Sequence, residues 1–414
     1  MIKTQLDPTT EYLQGYRSVL IRNTEGKEFN ITALIRELNL YEDIFANVVS
    51  GDAVLADDVA MIDQMNLKGN EKITVELHKD KEERTVEIFE YFIYSSGMRK
   101  RPNATSEVYV INFMSVEAVL NEHTRCYSAI EGSPTDAVSS LFDSLGSKKD
   151  ISVEKTFGHY KFVMPSWTPF EGINWYAGRS VSDESKGSYF LFYETLNGFR
   201  YDCVETLIKK EPKYEYHYEP AGTQFLIKDA ANIREFEVVE MGDSVKGVSQ
   251  QYTTLWSHDL IRKRLIKKKF EYGKDQKGKL NGQLLGTSEN NAFGLDLTER
   301  RERFGSNPVV KLETRNTHSQ TNDYTYDAIQ PKLSAMRQFA NLKVRFLAFG
   351  TRKYNVGDVV EMKFLRATNI NKENKNEMED KLLSGKYLVT AVRYMFRPQE
   401  FHIAVEAVKD SRKD

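Results

Sequence analysis

The side chains that most often do chemistry in proteins are spread thinly through this sequence. Its seven histidines stand at positions 78, 123, 159, 217, 258, 318 and 402. None belongs to an H-x-x-x-H or H-E-x-x-H pattern, which would place two imidazoles on one helix face to bind zinc. Histidines in such isolation are far more often structural or surface residues than catalytic ones. The pattern predicts no metal site and no histidine-based catalysis.

The two cysteines and the known catalytic motifs lead to the same expectation. Cys126 and Cys203 are not in a C-x-x-C pair, which excludes a cysteine zinc site, argues against a disulfide framework and favours a reducing compartment. No G-x-S-x-G elbow, Walker loop or G-x-G-x-x-G fingerprint occurs. We therefore predict no catalytic residues and no cofactor. A glycosidase needs only two carboxylates, however, and 60 acidic residues leave that activity open.

The charge balance points to protein partners. Lys and Arg number 58 against 60 Asp and Glu, a net charge of -2, so no overall excess favours nucleic acid or an anionic membrane. One basic segment, RKRLIKKK at 262–269, is either a polyanion contact or a solvated strand, and its lack of interleaved aromatic residues favours the strand. The sequence has no signal-peptide core and no apolar window of membrane-span length, which predicts a soluble protein.

Alternating patterns predict that both ends of the chain are built from β-strands. Ile73, Val75 and Leu77 alternate with polar residues, as in a strand with one face in water. Gly51, within an extended stretch from Glu42 to Leu55, favours a bulge or a barrel corner. Strand patterns return at 342–349, 359–365, 387–396 and 401–408. Gly69-Asn70 and Gly357-Asp358 introduce strands in a similar way, a faint echo between the two ends.

The middle of the chain carries helix signals and is predicted to be α+β. Ser133 can cap a helix over 134–145 that has proline at its first position and Gly146 at its end. Thr168-Pro169-Phe170-Glu171 is a capping box before a second helix over 169–177. Asn197-Gly198 between two apolar runs predicts a hairpin turn.

Three stretches together resemble the central baseplate hub proteins of contractile-tailed phages (myoviruses). The stretch YEDIFANVVSGDAVLADD with LKGNEKITVEL (41–77) is similar to the family's first tube barrel. MPSWTPFEGINWYAGRSVS with YFLFYETLNGFRY (164–201) is similar to the insertion domain. RQFANLKVRF, VGDVVEM and SGKYLVTAVRYMF, closing with AVEAVKDS (337–411), are similar to the end of the second tube barrel.

The resemblance implies a mainly β fold with two antiparallel tube-type β-barrels per chain, inserted α+β domains and three chains that close into a ring. It implies a structural, non-enzymatic role: the ring joins the cell-puncturing spike to the tail tube and permits passage of DNA. The implied partners are two further copies of the chain, the trimeric spike, the tail tube or tube-initiator protein, other baseplate proteins and DNA in transit. The implied location is the tail baseplate of the virion, assembled in the host cytoplasm.

These expectations divide the chain into domains. Residues 1–113 form the first tube barrel, 114–225 an α+β insertion domain, 226–257 with 332–411 the second tube barrel, and 258–331 a second part of the insertion domain. Ser133 and Thr168 are the expected helix caps. The residues expected at turns and barrel positions are Gly51, Gly69, Asn70, Gly198, Gly357, Asp358 and Gly385.

Two rival functions stay open on the sequence. One is a hub that also carries a peptidoglycan hydrolase, which turnover of purified cell-wall sacculi would reveal. The other is a carbohydrate-binding β protein, which glycan binding by the isolated chain would reveal.

Overall fold

The computed structural model describes residues 15–78, 86–103, 105–218, 231–241, 252–259, 262–272, 275, 279–284, 307–312, 325–339, 341–366, 379–398 and 400–413. Within these ranges the chain is mainly β-strand, with few helices, so the expectation of a mainly β fold is confirmed. No helix in these ranges is long and apolar enough to cross a membrane.

The strands before residue 116 form one antiparallel sheet, here called the N-terminal sheet. They are β1 (Tyr16–Arg22), β2 (Glu28–Asn30), β3 (Ile35–Asp43), β4 (Ser50–Asp57), β5 (Lys72–His78), β6 (Val86–Lys100) and β7 (Glu107–Ser115), with α1 (Met61–Met65) after β4. They hydrogen-bond in the order β2-β1-β5-β6-β7-β4-β3. Ile73, Val75 and Leu77 of β5 are buried and their polar neighbours are less so, as the alternation predicts.

An inserted α+β domain follows. Its elements are α2 (Val116–His123), β8 (Ala129–Gly132), α3 (Pro134–Leu145), β9 (Ile151–Val153), β10 (Thr156–Phe157), β11 (Tyr160–Val163), α4 (Pro169–Ala177), β12 (Val181–Ser182), β13 (Phe190–Thr195), β14 (Gly198–Cys203) and α5 (Val204–Leu207). Helices α3 and α4 pack through Leu141, Phe142 and Ile173 onto the β13–β14 hairpin. This apolar cluster is separate from a larger one, which fills the N-terminal sheet and the barrel and also includes Tyr193 and Leu207 of the inserted domain.

Both main helices of this domain begin with a reciprocal pair of hydrogen bonds. The Ser133 hydroxyl accepts from the backbone N–H of Asp136, whose carboxylate accepts from the Ser133 N–H. In α4 the Thr168 hydroxyl accepts from the Glu171 N–H at 3.3 Å, and the Glu171 carboxylate accepts from the Thr168 N–H at 2.8 Å. Each pair satisfies N–H groups that a helix start otherwise leaves without a partner.

Replacing Thr168 by alanine is expected to lower the stability of the inserted domain by about 1 kcal/mol, the usual worth of an N-cap side chain. Denaturant unfolding followed by tryptophan fluorescence measures this, because Trp167 and Trp175 flank and belong to the capped helix. Thr168→Ser keeps the acceptor oxygen and is the control. Equal stability of the alanine and serine variants would show that the cap contributes nothing.

The described elements after residue 213 form a barrel, a separate three-stranded sheet, a two-stranded pair and one helix. They are β15 (Tyr214–Tyr218), β16 (Ala231–Met241), β17 (Tyr252–Asp259), β18 (Arg264–Glu271), β19 (Gln283–Leu284), β20 (Asn307–Leu312), α6 (Thr325–Gln338), β21 (Leu342–Phe349), β22 (Val359–Phe364), β23 (Gly385–Arg397), β24 (Glu400–Lys409) and β25 (Ser411–Arg412). Six of them close into a ring in the order β23-β22-β15-β16-β21-β24, with β24 paired back to β23. All pairs in this barrel are antiparallel except those of β15, which runs parallel to β22 and β16.

The N-terminal sheet does not close on itself within the described ranges. The outer edge of β3 pairs with β23 of the barrel, so the two form one continuous 13-stranded sheet. We call this pairing, Leu38–Asp43 against Ala391–Phe396, the junction.

The N-terminal sheet and the barrel contain the same five-strand unit. In the sheet its order is β5-β6-β7-β4-β3, and in the barrel it is β22-β23-β24-β21-β16. Strands β3 to β7 thus correspond, in chain order, to β16, β21, β22, β23 and β24. All pairings within both units are antiparallel. The echo seen in the sequence thus corresponds to a repeated topology.

Two of the irregularities fall at the same places in both units, whereas the bulges between Gly97 and Lys100 of β6 and between Val238 and Glu240 of β16 have no counterpart. A bulge between Ile35 and Glu37 of β3 matches one between Ile233 and Glu235 of β16, and both stretches read Ile-Arg-Glu. A bulge between Ile93 and Ser95 of β6 matches one between Val389 and Ala391 of β23. Bulges are specific structural features of a fold, so their agreement fixes which residues of the two units correspond.

Two strands lie elsewhere than the sequence division placed them. Strand β15 belongs to the barrel, although its residues fall within the 114–225 insertion domain. Strand β17 pairs with β18 and β20 in a separate sheet, although residues up to 257 were assigned to the second barrel. Periodicity identifies a strand but carries no information about which sheet it joins.

Candidate assembly surface at the junction

The junction is held on its outer face by charged side chains. Glu37 of β3 contacts Arg393 at 2.7 Å and Arg397 at 2.8 Å on β23. Arg393 also donates to the Asn39 amide oxygen at 3.0 Å. Partial burial works to raise the pKa of Glu37, but hydrogen bonds from Asn39 and Arg397 and the charges of both arginines outweigh it and hold the pKa below its ordinary value.

Behind this face, the carboxylate of Glu42 is buried where the N-terminal sheet, the inserted domain and the barrel meet. It accepts hydrogen bonds from the backbone N–H of Leu196 at 2.6 Å, the Asn355 amide at 2.8 Å and the Val356 N–H at 3.0 Å, with the Tyr394 hydroxyl at 3.4 Å. Leu196 belongs to the inserted domain, and the other three partners belong to the barrel unit. Burial raises the pKa of Glu42 to about 7, although the hydrogen bonds lower it. One side chain of β3 therefore links three parts of the fold.

A second buried cluster joins the inserted domain to the N-terminal sheet. Lys149 lies 2.8 Å from Glu117 and 2.6 Å from Glu194, and Glu194 also accepts from the Val49 N–H at 2.8 Å. Burial works to lower the pKa of Lys149, and the charges of Glu194 and Glu117 raise it above its ordinary value. Because both carboxylates are paired with the same ammonium group, the cluster suits a fixed domain contact rather than proton transfer.

Four of the five glycines expected at turns or barrel positions lie at turns or strand starts, and the fifth, Gly51, does not. Gly69, Gly198, Gly357 and Gly385 all have positive φ. The hairpin turn consists of Leu196 and Asn197, and Gly198 is the first residue of β14.

Two polar residues that were expected at strand starts take part in loop hydrogen bonds. The Asn70 N–H donates to Glu71. The carboxylate of Asp358 accepts from the Asn355 N–H at 3.0 Å and contacts Lys213 at 2.9 Å. By register it is Glu71 that corresponds to Asp358. The Ile93 N–H donates to the Glu71 carbonyl, and the equivalent Val389 N–H donates to the Asp358 carbonyl. The sequence echo was therefore out of step by one residue.

The prediction of a bend at Gly51 is wrong. Strand β3 ends at Asp43, and β4 begins at Ser50 and passes through Gly51 in regular pairing with Leu40 and Phe113. A Cβ atom at Gly51 would lie 2.3 Å from the Phe113 ring and 2.6 Å from the Asn39 carbonyl oxygen. The glycine makes room for a ring; it does not bend the strand.

The basic segment lies outside the barrel. Its residues form β18 and the turn before it, and the side chains of Arg262, Lys263, Arg264 and Lys267 are exposed. Lys267 lies 4.7 Å from the centre of the Trp256 ring on the paired strand. This exposure agrees with a solvated strand and leaves the polyanion reading a prediction.

The described part of the chain offers little for chemistry. In it, no group of three or more His, Cys, Asp or Glu side chains could hold a metal ion. Both cysteines are buried, and burial raises the pKa of Cys203 well above its ordinary value, which disfavours a reactive thiolate. The residues that organise this molecule, Glu42 and Lys149, had no sequence signal, because each is one charged residue among many.

Comparison with known proteins gives matches by structure alone. No protein-family model and no curated protein sequence matches the chain. The tail protein from Neisseria meningitidis MC58 matches with a TM-score of 0.54 at 13% identity, over 96% of this chain and 97% of that one. The 43 kDa tail protein of prophage MuSo2 from Shewanella oneidensis matches with a TM-score of 0.54 at 9% identity, over 95% of this chain and 98% of that one. The chain therefore has the fold of these two tail proteins along nearly its whole length.

Proposed function

We propose that this chain is a structural subunit of a phage tail baseplate: a hub that forms a trimeric ring, joins the trimeric spike to the tail tube and lets DNA pass through its channel. Its partners are two further copies of itself, the spike, the tube or tube-initiator protein and other baseplate proteins. It acts through shape complementarity in the virion tail and has no catalytic role.

The repeated five-strand unit is the observation that carries this proposal. A chain with two similar units presents six of them when three copies assemble, so one ring has threefold symmetry in sequence and nearly sixfold symmetry in shape. Such a ring can meet a trimeric spike on one face and a hexameric tube on the other. The fold that this chain shares with two tail proteins supports a role in a phage tail.

A ring of three chains requires a heterologous interface, in which each chain presents two different surfaces that complement each other. Light scattering of the purified chain should therefore give about three times the chain mass of 47.8 kDa. Because association depends on concentration, the measurement should cover a dilution series and include the spike partner. A mass of one chain throughout would overturn the proposal.

A further inference from the structure

The junction already shows how the two repeat units bind each other. In the junction, β3 of the first unit pairs antiparallel with the second half of β23 of the second unit. Within the repeat, β3 corresponds to β16 and β23 corresponds to β6. The same contact could therefore form a second time, between β16 and the second half of β6.

Both of these strands have an edge without a partner among the described residues. Beyond Phe92, β6 pairs only with β7, apart from one hydrogen bond from the Ile93 N–H to the Glu71 carbonyl. Beyond Asn232, β16 pairs only with β21. The unpaired half of β6 also exposes two large apolar side chains, with Tyr94 47% and Met98 72% accessible. Long unpaired edges are a liability that proteins normally cover.

We propose that β16 of one protomer pairs antiparallel with the second half of β6 of a second copy, and that this pairing closes the ring. The inference rests on the trimeric ring proposed above and names the surfaces that build it. Each ring then contains three junctions within chains and three of the same kind between chains, and the sheet runs unbroken around the channel.

The register of the new pairing follows from the repeat. In the junction, Asn39 lies opposite Met395. Asn39 corresponds to Glu237, since each is two residues beyond the shared bulge. Met395 corresponds to Lys100, since their partners His402 and Val108 occupy equivalent places on β24 and β7. Glu237 of one chain thus faces Lys100 of the next.

The charges of the two edges are complementary. Strand β16 presents Glu235 and Glu237, both exposed, and the end of β6 presents Lys100, also exposed, next to Arg99, which already pairs with Glu107 and Asp63 of its own chain. An opposite-charge pair directly across two antiparallel strands is stabilising, and like charges there are destabilising. The junction itself uses the same device, with Glu37 between Arg393 and Arg397.

Disulfide cross-linking tests the register. Opposed residues on antiparallel strands lie about 4.5 to 5.5 Å apart at Cα, within the range a disulfide spans. Mild oxidation of the Glu237→Cys/Lys100→Cys chain should give linked species that end at three chains, and either single variant should give none. Glu237→Cys/Tyr94→Cys, displaced by roughly 20 Å along the strand, is the register control. The natural Cys126 and Cys203 are buried and should not react under these conditions.

Charge exchange tests the same contact without a covalent bond. Glu237→Lys and Lys100→Glu should each raise severalfold the concentration at which half of the chains are assembled, and the double variant should restore it. A chain that forms trimers by light scattering, yet neither cross-links at 100 and 237 nor responds to the exchange, would overturn this pairing and leave the ring intact. A chain that stays monomeric would overturn both.

Discussion

Replacing Glu42 by alanine should lower the free energy of unfolding by about 3 to 5 kcal/mol. The substitution leaves the N–H groups of Leu196 and Val356 and the Asn355 amide without their acceptor in the interior, and a buried donor without a partner costs about 1 to 3 kcal/mol. Chemical denaturation at neutral pH measures the loss. Because Glu42 links the N-terminal sheet to the inserted domain and the barrel, the three parts should also unfold less cooperatively.

Glu37→Ala is the matched control, since Glu37 lies five residues earlier on the same strand. Its side chain is 20% accessible and its partners Arg393 and Arg397 are more so, and ion pairs of this kind contribute about 1 kcal/mol or less. Glu42→Gln keeps one acceptor oxygen and should fall between the two. Equal losses for Glu37→Ala and Glu42→Ala would show that the buried network does not hold the parts together.

Replacing Gly357 by alanine should cost about 2 to 4 kcal/mol. Its φ of +82° is unfavourable for any residue with a Cβ atom, and that atom would lie 2.2 Å from the Tyr193 hydroxyl, where the barrel meets the inserted domain. Thermal or denaturant unfolding measures the cost.

Gly26→Ala separates the two causes. Gly26 has a φ of +83°, and a Cβ atom there would meet nothing within 4 Å. Its loss should be only about 1 kcal/mol, the cost of the backbone conformation alone. Equal losses of unfolding free energy for Gly357→Ala and Gly26→Ala would show that the contact with Tyr193 contributes nothing to the cost.

Local structure could be predicted where a few neighbouring residues determine it. The period-two pattern of Ile73 to Leu77 identified a strand, because alternate residues of a strand face opposite sides of the sheet. The helix at Pro134–Leu145 begins at a serine and ends at a glycine because caps satisfy backbone groups locally. The mainly β fold class followed from such patterns together with the family resemblance.

Long-range relations could not be predicted in this way. Gly51 looked like a bend, yet the reason for a glycine is the Phe113 ring, which lies 62 residues further along the chain. Glu42 is a buried link because its partners are at 196, 355, 356 and 394, distances at which no sequence period operates. The repeat is defined by strand pairing and hydrogen-bond register, and the similarity of two glycine turns in the sequence carries neither.

Electron microscopy of the purified assembly tests the central claim most directly. Class averages viewed along the axis should show six similar lobes around a hole, with true threefold symmetry, because each chain supplies two similar but unequal units. Particles the size of a single chain, even in the presence of the spike, or rings with any other number of chains would contradict the account.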